Sequence, residues 1–314
     1  MQAFCMRQKE LAGQRELQRA QETSSAKRDQ IEARIQRLKS GHKLDGVQMP
    51  LWDPAIRGIP NSLARSALFS CSQLRGERKF IKDALVTSVA NLHIKYRGEQ
   101  LNQDDFTVFM QLVHLARGQT LSQDYFVDFT ANSFITTIGW TRHSRSYTRL
   151  KETLLRLQAT ALQVLEDLGE QGDRAFSGSL VRKFEYETPA GEGLRKWRVY
   201  LEAGIVALFD DESYTRVYFQ QRLITRGDLA QWLHSFYSTH REPFAMRVAT
   251  IRDLSGSSAK KLFHFRGCLE SALKELTLVG FLEGWTIDER DLVHVKRIPV
   301  KRLIGQPATV ATAQ

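Results

Sequence analysis

Two stretches of this chain bring basic and hydroxylated side chains together where a helix would begin. Residues 141–149 read TRHSRSYTR and residues 256–266 read GSSAKKLFHFR. The first offers Arg142, Ser144, Arg145, Ser146 and Arg149; the second offers Ser257, Ser258, Lys260, Lys261, His264 and Arg266. Arginine can reach guanine N7 and O6 through two parallel hydrogen bonds, and serine donates or accepts at any base edge. Lysine pairs with phosphate oxygens, which sets register without reading sequence. One isolated arginine would be an ordinary charged surface. Three arginines and two serines opening one helix point instead to base or phosphate contact. Arg174, Arg182, Lys183, Arg195 and Lys196 flank a predicted hairpin, where a grip on nucleic-acid backbone and simple solvation remain equally open.

The elements that must hold these residues are legible in the hydrophobic spacing. Phe134, Ile135 and Ile138 face a core, Gly139 permits a tight turn, and Ser144 is expected to cap a helix carrying Tyr147, Leu150, Leu154 and Leu157 on its inner face. Two short helices about a glycine turn make a helix-turn-helix, whose second helix lies in the major groove with its first residues at the base edges. LQVLED, LVRKFEYET and KWRVYLEAGIVALF then read as strands separated by GEQGDR and PAGEG, giving a sheet and wing. The order returns in the second half. Leu229, Trp232, Leu233 and Phe236 mark a helix, RVATIRDLSG a short helix and turn, SSAKKLFHFRGCLESALKELTLVGFL a long helix, and LVGFLEGWTIDERDLVHVKRI a hairpin with a polar tip. Leu150, Leu154 and Leu157 share their four-then-three spacing with Leu269, Leu273 and Leu276, which argues for duplicated units. Upstream, Pro60 and Asn61 open a predicted helix carrying Leu63, Ala67 and Leu68; KFIKDALVT and NLHIKYRG suit a strand pair, and a helix runs from Asp104 to about Arg117.

The expected fold class is therefore α+β: two tandem winged-helix domains, at 55–212 and 213–300, preceded by a flexible basic arm at 1–46 and a linker at 47–54, and followed by a mobile tail at 301–314. In all, 45 Lys and Arg against 35 Asp and Glu give a formal charge of +10, an excess that speeds association with polyanions, double-stranded DNA first among them. Three widely spaced cysteines and histidines without ligand spacing predict no metal site, and phosphate-loop, dinucleotide, zinc-protease and esterase motifs are missing, so neither a cofactor nor an enzyme activity is expected. No apolar run approaches the roughly 20 residues that span a bilayer, and no signal-peptide core opens the chain, which predicts a cytoplasmic protein with no membrane partner.

WDPAIRGIPNSLARSALFS, followed by the two winged-helix patterns, resembles the TrfA-type plasmid replication initiators over roughly residues 48–300, most specifically from Arg57 to Phe69. The resemblance implies a bacterial protein that binds direct repeats (iterons) at a plasmid origin, helps open it, and gathers the host replicative helicase and initiator. It also implies dimers that dissociate before binding. Bacterial sliding clamps accept peptides of the form Gln-Leu-x-Leu-Phe, which Gln48, Met49, Leu51 and Trp52 of VQMPLW resemble, so the host clamp is an expected partner. Without the resemblance, Leu51 and Trp52 would instead fold back over the first helix. The competing function is a transcription repressor that uses the same domains and has no replication role.

Overall fold

The computed structural model describes residues 47–72, 78–89, 91–121, 126–167, 173–187, 196–209 and 213–298, so the expected arm at 1–46 and tail at 301–314 lie outside them. Contacts divide the chain into Met1–Lys43 and Leu44–Gln314, and all described residues belong to the second unit. In chain order its amino-terminal half holds β1 (Val47–Gln48), β2 (Ile56–Pro60), α1 (Asn61–Ala64), β3 (Phe69–Ser70), β4 (Phe80–Val86), β5 (Leu92–Glu99), β6 (Leu101–Asn102), α2 (Gln103–Ala116), β7 (Thr120–Leu121), β8 (Val127–Thr130), α3 (Ala131–Thr137), α4 (Ser144–Gln158), β9 (Ala161–Asp167), β10 (Asp173–Gly178), β11 (Val181–Tyr186), β12 (Lys196–Leu201) and a 3-10 helix at Ala203–Phe209. Then come β13 (Tyr214–Tyr218), α5 (Phe219–Ile224), α6 (Asp228–Ser238), β14 (Met246–Arg247), α7 (Val248–Leu254), α8 (Leu262–Leu278), β15 (Leu282–Ile287) and β16 (Leu292–Arg297). The fold is mixed α+β.

The duplication read from the leucines is present in the hydrogen bonding. In the first half β8 precedes α3 and α4 and pairs with β12, which pairs with β11; in the second, β14 precedes α7 and α8 and pairs with β16, which pairs with β15. Each hairpin carries a bulge straight after its first pair, between Val181 and Lys183 and between Leu282 and Gly284, a device that increases local twist. The helix pairs turn on Gly139 (φ 76°) and Gly256 (φ 63°), a left-handed conformation that a Cβ disfavours. Leu150, Leu154, Leu157, Leu269, Leu273 and Leu276 are all buried.

Four expectations are corrected. The predicted helix at Leu63–Leu68 is a single turn, because Ile56–Pro60 is spent as a strand against β13 and Phe69–Ser70 as a strand against β6. LQVLED is not part of the wing sheet: β9 lies between β5 and β10 in a separate antiparallel sheet of order β10–β9–β5–β4. Alternating apolar residues specify a half-buried strand but not its partner, and β10, with Phe176 as its one bulky apolar residue, gives little signal. The last residues of KWRVYLEAGIVALF wind into the 3-10 helix. The fourth concerns residues 48–52. Met49 and Trp52 are 1% and 5% exposed while Leu51 is 71% exposed.

That segment is strapped to the end of α2. Val47 and Gln48 pair with Leu121 and Thr120, and the Met49 amide donates to the Gln119 carbonyl at 2.8 Å. Trp52 donates its indole N–H to His114 Nδ1 at 3.0 Å and stacks on Phe209 at 6.0 Å between centroids. A Cβ on Gly58 would lie 2.8 Å from the Trp52 ring, so a glycine there is a packing requirement. Two of the four clamp anchors are thus core side chains of this protein. Trp52 does fold back, onto α2 in place of α1.

Two hydrophobic clusters form, one from Met49 to Phe219 and one from Ala230 to Val293 with Cys71. Polar contacts join them. Arg222, fully buried, donates from Nη1 to the Gln231 carbonyl (2.8 Å) and Ser235 Oγ (2.9 Å) of α6, and from Nη2 to Gln103 Oε1 (2.9 Å) and Thr107 Oγ1 (3.3 Å) of α2. Burial pulls its pKa down to about 9, partly offset by the charges of Asp104 and Asp228. Arg65 reaches Thr239 Oγ1 and its carbonyl at 2.9 and 2.7 Å, Trp232 donates to the Ser66 carbonyl at 3.1 Å, and Ser72 donates to the Gly256 carbonyl at 2.7 Å.

Truncating Trp52 removes a large buried ring and orphans His114. We expect Trp52→Ala to cost about 3–5 kcal/mol in a denaturant titration, whereas Leu51→Ala stays within about 0.5 kcal/mol; equal, small effects would show that the strap is not part of the core. Burial also holds His114 and His234 near pKa 3, against 6.5 for a free imidazole. The unfolded chain therefore takes up these protons first, so their contribution to stability is complete above about pH 6.5 and falls as the pH drops through that value. For fully buried His234 this amounts to about 2 kcal/mol at pH 5. Asp228, raised to about 6 by burial and by Asp104, works in the opposite sense as one group against two. The melting temperature should be lower at pH 5 than at pH 7.5, and a rise would overturn the assignment.

Candidate nucleic-acid interface

α4 begins with His143 as its N-cap; its Nδ1 accepts the Ser146 amide at 3.3 Å. The predicted cap, Ser144, is therefore the first helical residue, and its side chain is exposed. Ser146 is turned inward, donating its hydroxyl to the Thr141 carbonyl at 2.6 Å. Its hydroxyl is thus buried in the turn, with its proton spent on the Thr141 carbonyl, in place of being presented at the surface. Arg142 and Arg145 are exposed and carry no carboxylate partner among the described residues. Arg149 lies over the Trp140 ring at 4.1 Å and pairs with Asp104 at the start of α2. It is pre-aimed, and Asp104 competes with any phosphate or base for it. Gly139, Trp140, Thr141, His143, Arg145, Ser146 and Arg149 line a cleft of about 400 Å³.

The rest of α4 is fixed from behind. Asp105, fully buried, closes a reciprocal cap with Asn102 at the head of α2. It also accepts Arg156 from α4 at 2.9 Å and Arg78 at 2.8 Å. A carboxylate ringed by donors in this way orients the helix that carries Arg145, with Arg142 just ahead of its N-cap. In the adjoining hairpin Lys183 pairs with Glu185 at 2.8 Å and sits over the Tyr200 ring at 4.3 Å, and Arg182 lies 5.5 Å from the same ring. Arg198, not singled out from the sequence, is bidentate to Asp128 and stacks on Phe126 at 3.7 Å. Lys196 is exposed; the Arg174 side chain and Arg195 lie outside the described residues.

In the second half Ser258, Lys260, Lys261 and His264 are exposed and Ser257 is half-buried, its hydroxyl accepting the Ala259 amide at 3.3 Å. Neither lysine has a carboxylate partner among the described residues. Arg266 is committed elsewhere: it pairs with Asp291 at the tip of the β15–β16 turn and with Glu270 one helical turn on at 3.4 Å. Those bonds tie α8 to its hairpin, so Arg266 is a brace in this state.

Two residues of α8 were missed. Phe263, the second helical residue, is 70% exposed and rests against the His264 ring at 4.2 Å between centroids. Gly267, one turn on, has, apart from the helix's own backbone, nothing within 4 Å of where its Cβ would be. The buried stripe is Phe265, Leu269, Leu273 and Leu276; an aromatic out of phase with that stripe was the signal. Glycine inside a helix costs about 0.5–1 kcal/mol relative to alanine, so this one is not there for stability. Among the described residues no cluster of His, Cys, Asp and Glu could hold a metal ion, and no helix is long and apolar enough to cross a membrane.

A family model described as TrfA protein matches residues 8–297 of the chain. The plasmid replication initiator protein TrfA of Escherichia coli is 29% identical over 249 residues, 78% of this chain and 63% of that protein, so the chain spans under two thirds of the length of this relative. Among solved structures, domain 2 and domain 3 of RctB superpose with a TM-score of 0.51 at 14% identity, covering 76% of this chain and 98% of that one. A second crystal structure of RctB domains 2–3 gives 0.50 at 13%, covering 78% and 99%. At those identities the likeness is one of fold.

These placements separate structural from solvent-facing positions. In thermal melts, Ser146→Ala should lower stability by about 1 kcal/mol and Arg145→Ala should leave it within about 0.5 kcal/mol. Gly267→Ala should raise stability by about 0.5–1 kcal/mol; a loss there would mean that the space above Gly267 is filled by this chain.

Proposed function

The chain belongs to the TrfA family, and on that premise we propose that it is a non-enzymatic plasmid replication initiator that binds direct repeats in origin DNA. In this reading each set of pre-helix strand, helix pair and bulged hairpin is a winged helix, in domains at 55–212 and 213–300. α4 and α8 enter successive major-groove faces of one repeat. The observation that carries it is that the two copies of one arrangement each expose, at the head of the second helix, a basic pair with no carboxylate partner among the described residues, Arg142 with Arg145 and Lys260 with Lys261. The overall excess of +10 supplies the sequence-independent attraction. The name of the Escherichia coli relative supports the replication role.

Within the proposal Arg142, Arg145 and Ser144 meet bases or phosphates first, and Arg149 joins them by exchanging Asp104 for DNA. Lys260 and Lys261 hold backbone, with Ser257, Ser258 and His264 beside them and Arg182 and Lys183 along the wing. Origin opening, recruitment of the host helicase and initiator, dimers that dissociate on DNA, and action in the cytoplasm complete the reading. Docking on the sliding clamp through residues 48–52 is not retained as a ready-made contact, because Met49 and Trp52 are committed to the core.

The test is binding to duplexes enriched by the purified protein from a randomised pool, followed over a range of salt. Arg145→Ala should weaken the enriched duplex by about 1–3 kcal/mol and spare non-specific DNA, whereas Lys260→Ala should weaken both alike and flatten the salt slope. Enrichment of direct repeats fits an initiator. A dimer on an inverted repeat would assign the protein to the repressors, and no enrichment would end the proposal.

A further inference from the structure

We propose that the two halves read chemically different bases, and that α8 recognises thymine, through contact of the Phe263 ring with the thymine 5-methyl group in a groove approached closely at Gly267. This rests on the DNA-binding reading above and names its specificity. The argument begins with the duplication. Ser144, Arg145 and Ser146 are the first three residues of α4; Leu262, Phe263 and His264 are the first three of α8. The leucine register that relates the copies, Leu150, Leu154 and Leu157 to Leu269, Leu273 and Leu276, sets Ser144 against Phe263 and Arg145 against His264, so one solvent-facing position at the head of the second helix is serine in one copy and phenylalanine in the other. A serine there can donate to or accept from any base edge. A phenyl ring has no hydrogen bond to offer, and the methyl of thymine is the apolar feature that the major groove presents.

The surroundings of Phe263 fit that occupant. Phe263 leaves 70% of its surface exposed, apolar area that a partner would remove from water. The cover must be polyanionic at its edges, since Lys260 and Lys261 stand exposed just before the helix. It must also come close along the same face, because Gly267 lies one turn beyond Phe263 and, apart from the helix's own backbone, nothing lies within 4 Å of its Cβ position. Farther along that face Glu270 is held by Arg266 at 3.4 Å, and Ser271 bonds its hydroxyl back onto the Gly267 carbonyl at 3.0 Å. A duplex with thymine opposite the head of α8 meets all three conditions.

The experiment uses the full chain and the duplex it enriches from a randomised pool, with each thymine replaced in turn by deoxyuridine, which lacks only the methyl group. Loss of one methyl contact corresponds to about a four-fold weakening. We expect one or two uracil positions, in the part of the site footprinted by the second half, to weaken wild type by about that factor. Phe263→Ala should weaken the all-thymine duplex and bind the uracil duplex no worse, while an Arg145→Ala protein keeps the uracil penalty. Gly267→Ala, which should melt no lower than wild type, should lose affinity for the enriched duplex. Uracil without effect at every position, or a uracil penalty that persists in Phe263→Ala, would overturn the inference while leaving DNA binding intact. Failure to enrich any duplex would instead overturn the reading on which it rests. A Phe263→Ala protein that binds DNA normally but changes its oligomeric state would assign the ring to a contact between copies of the chain and likewise overturn the inference.

Discussion

A guanidinium with no water around it joins the two halves of the described unit. Arg222 bonds through Nη1 and Nη2 to carbonyl, amide and hydroxyl oxygens from α2 on one side and α6 on the other, and lies 5.4 Å from the Phe106 ring. Desolvating a cation is costly, and among the described residues no carboxylate bonds to it directly; a close set of fixed acceptors, with Asp104 and Asp228 at longer range, makes that placement tolerable. α2 and α6 are the helices against which α4 and α8 pack, so this cation bears on the relative placement of the two helix pairs. Shift either helix and the guanidinium loses acceptors that water cannot replace.

The segment from Arg57 to Phe69 serves that seam and the adjoining core. Arg57 is held by Gln111 and by the Pro54 and Ile56 carbonyls, Gly58 makes room for the Trp52 ring, and Arg65 and Ser66 bond across to α6 and its C-cap. Ser70 sits so close to Gly256 that a Cβ there would lie 2.8 Å from the serine Cβ. RGIPNSLARSALF is therefore a joint and not a DNA-contacting surface. A similar inversion applies to VQMPLW. Its composition suits a docking peptide, yet a Trp–His hydrogen bond and aromatic packing turn it into the strap that closes the first core.

The two helix pairs share backbone pairing, bulge position and glycine turn, and differ in what they leave outside. In the first, Asp104 and Trp140 hold Arg149 in place, so its exposure is conditional on an exchange of partners. In the second, Arg266 is drawn to the hairpin tip, which leaves lysines, a histidine and a phenyl ring at the head of α8. Duplicated scaffolds allow this because the buried leucines that fix the helix occupy one face and impose nothing on the other.

The sequence by itself determined the period of the chain. The four-then-three leucines, the two glycine turns, the hairpin with its polar tip and the basic clusters depend on local spacing and on φ, and each lies where the pattern put it. Strand partnership was not local: β9 alternates as well as any wing strand, and its place beside β5 is decided by which apolar faces meet. The direction of single side chains was not local either. Ser144 and Ser146 are chemically alike, and the N-cap falling on His143 turned one outward and the other into the turn. Met49, Trp52 and Phe263 were all apolar residues available to a partner on paper. Only the tertiary structure, by offering His114 and Phe209 to the tryptophan and leaving the phenylalanine 70% exposed, decided which of them is core and which is surface.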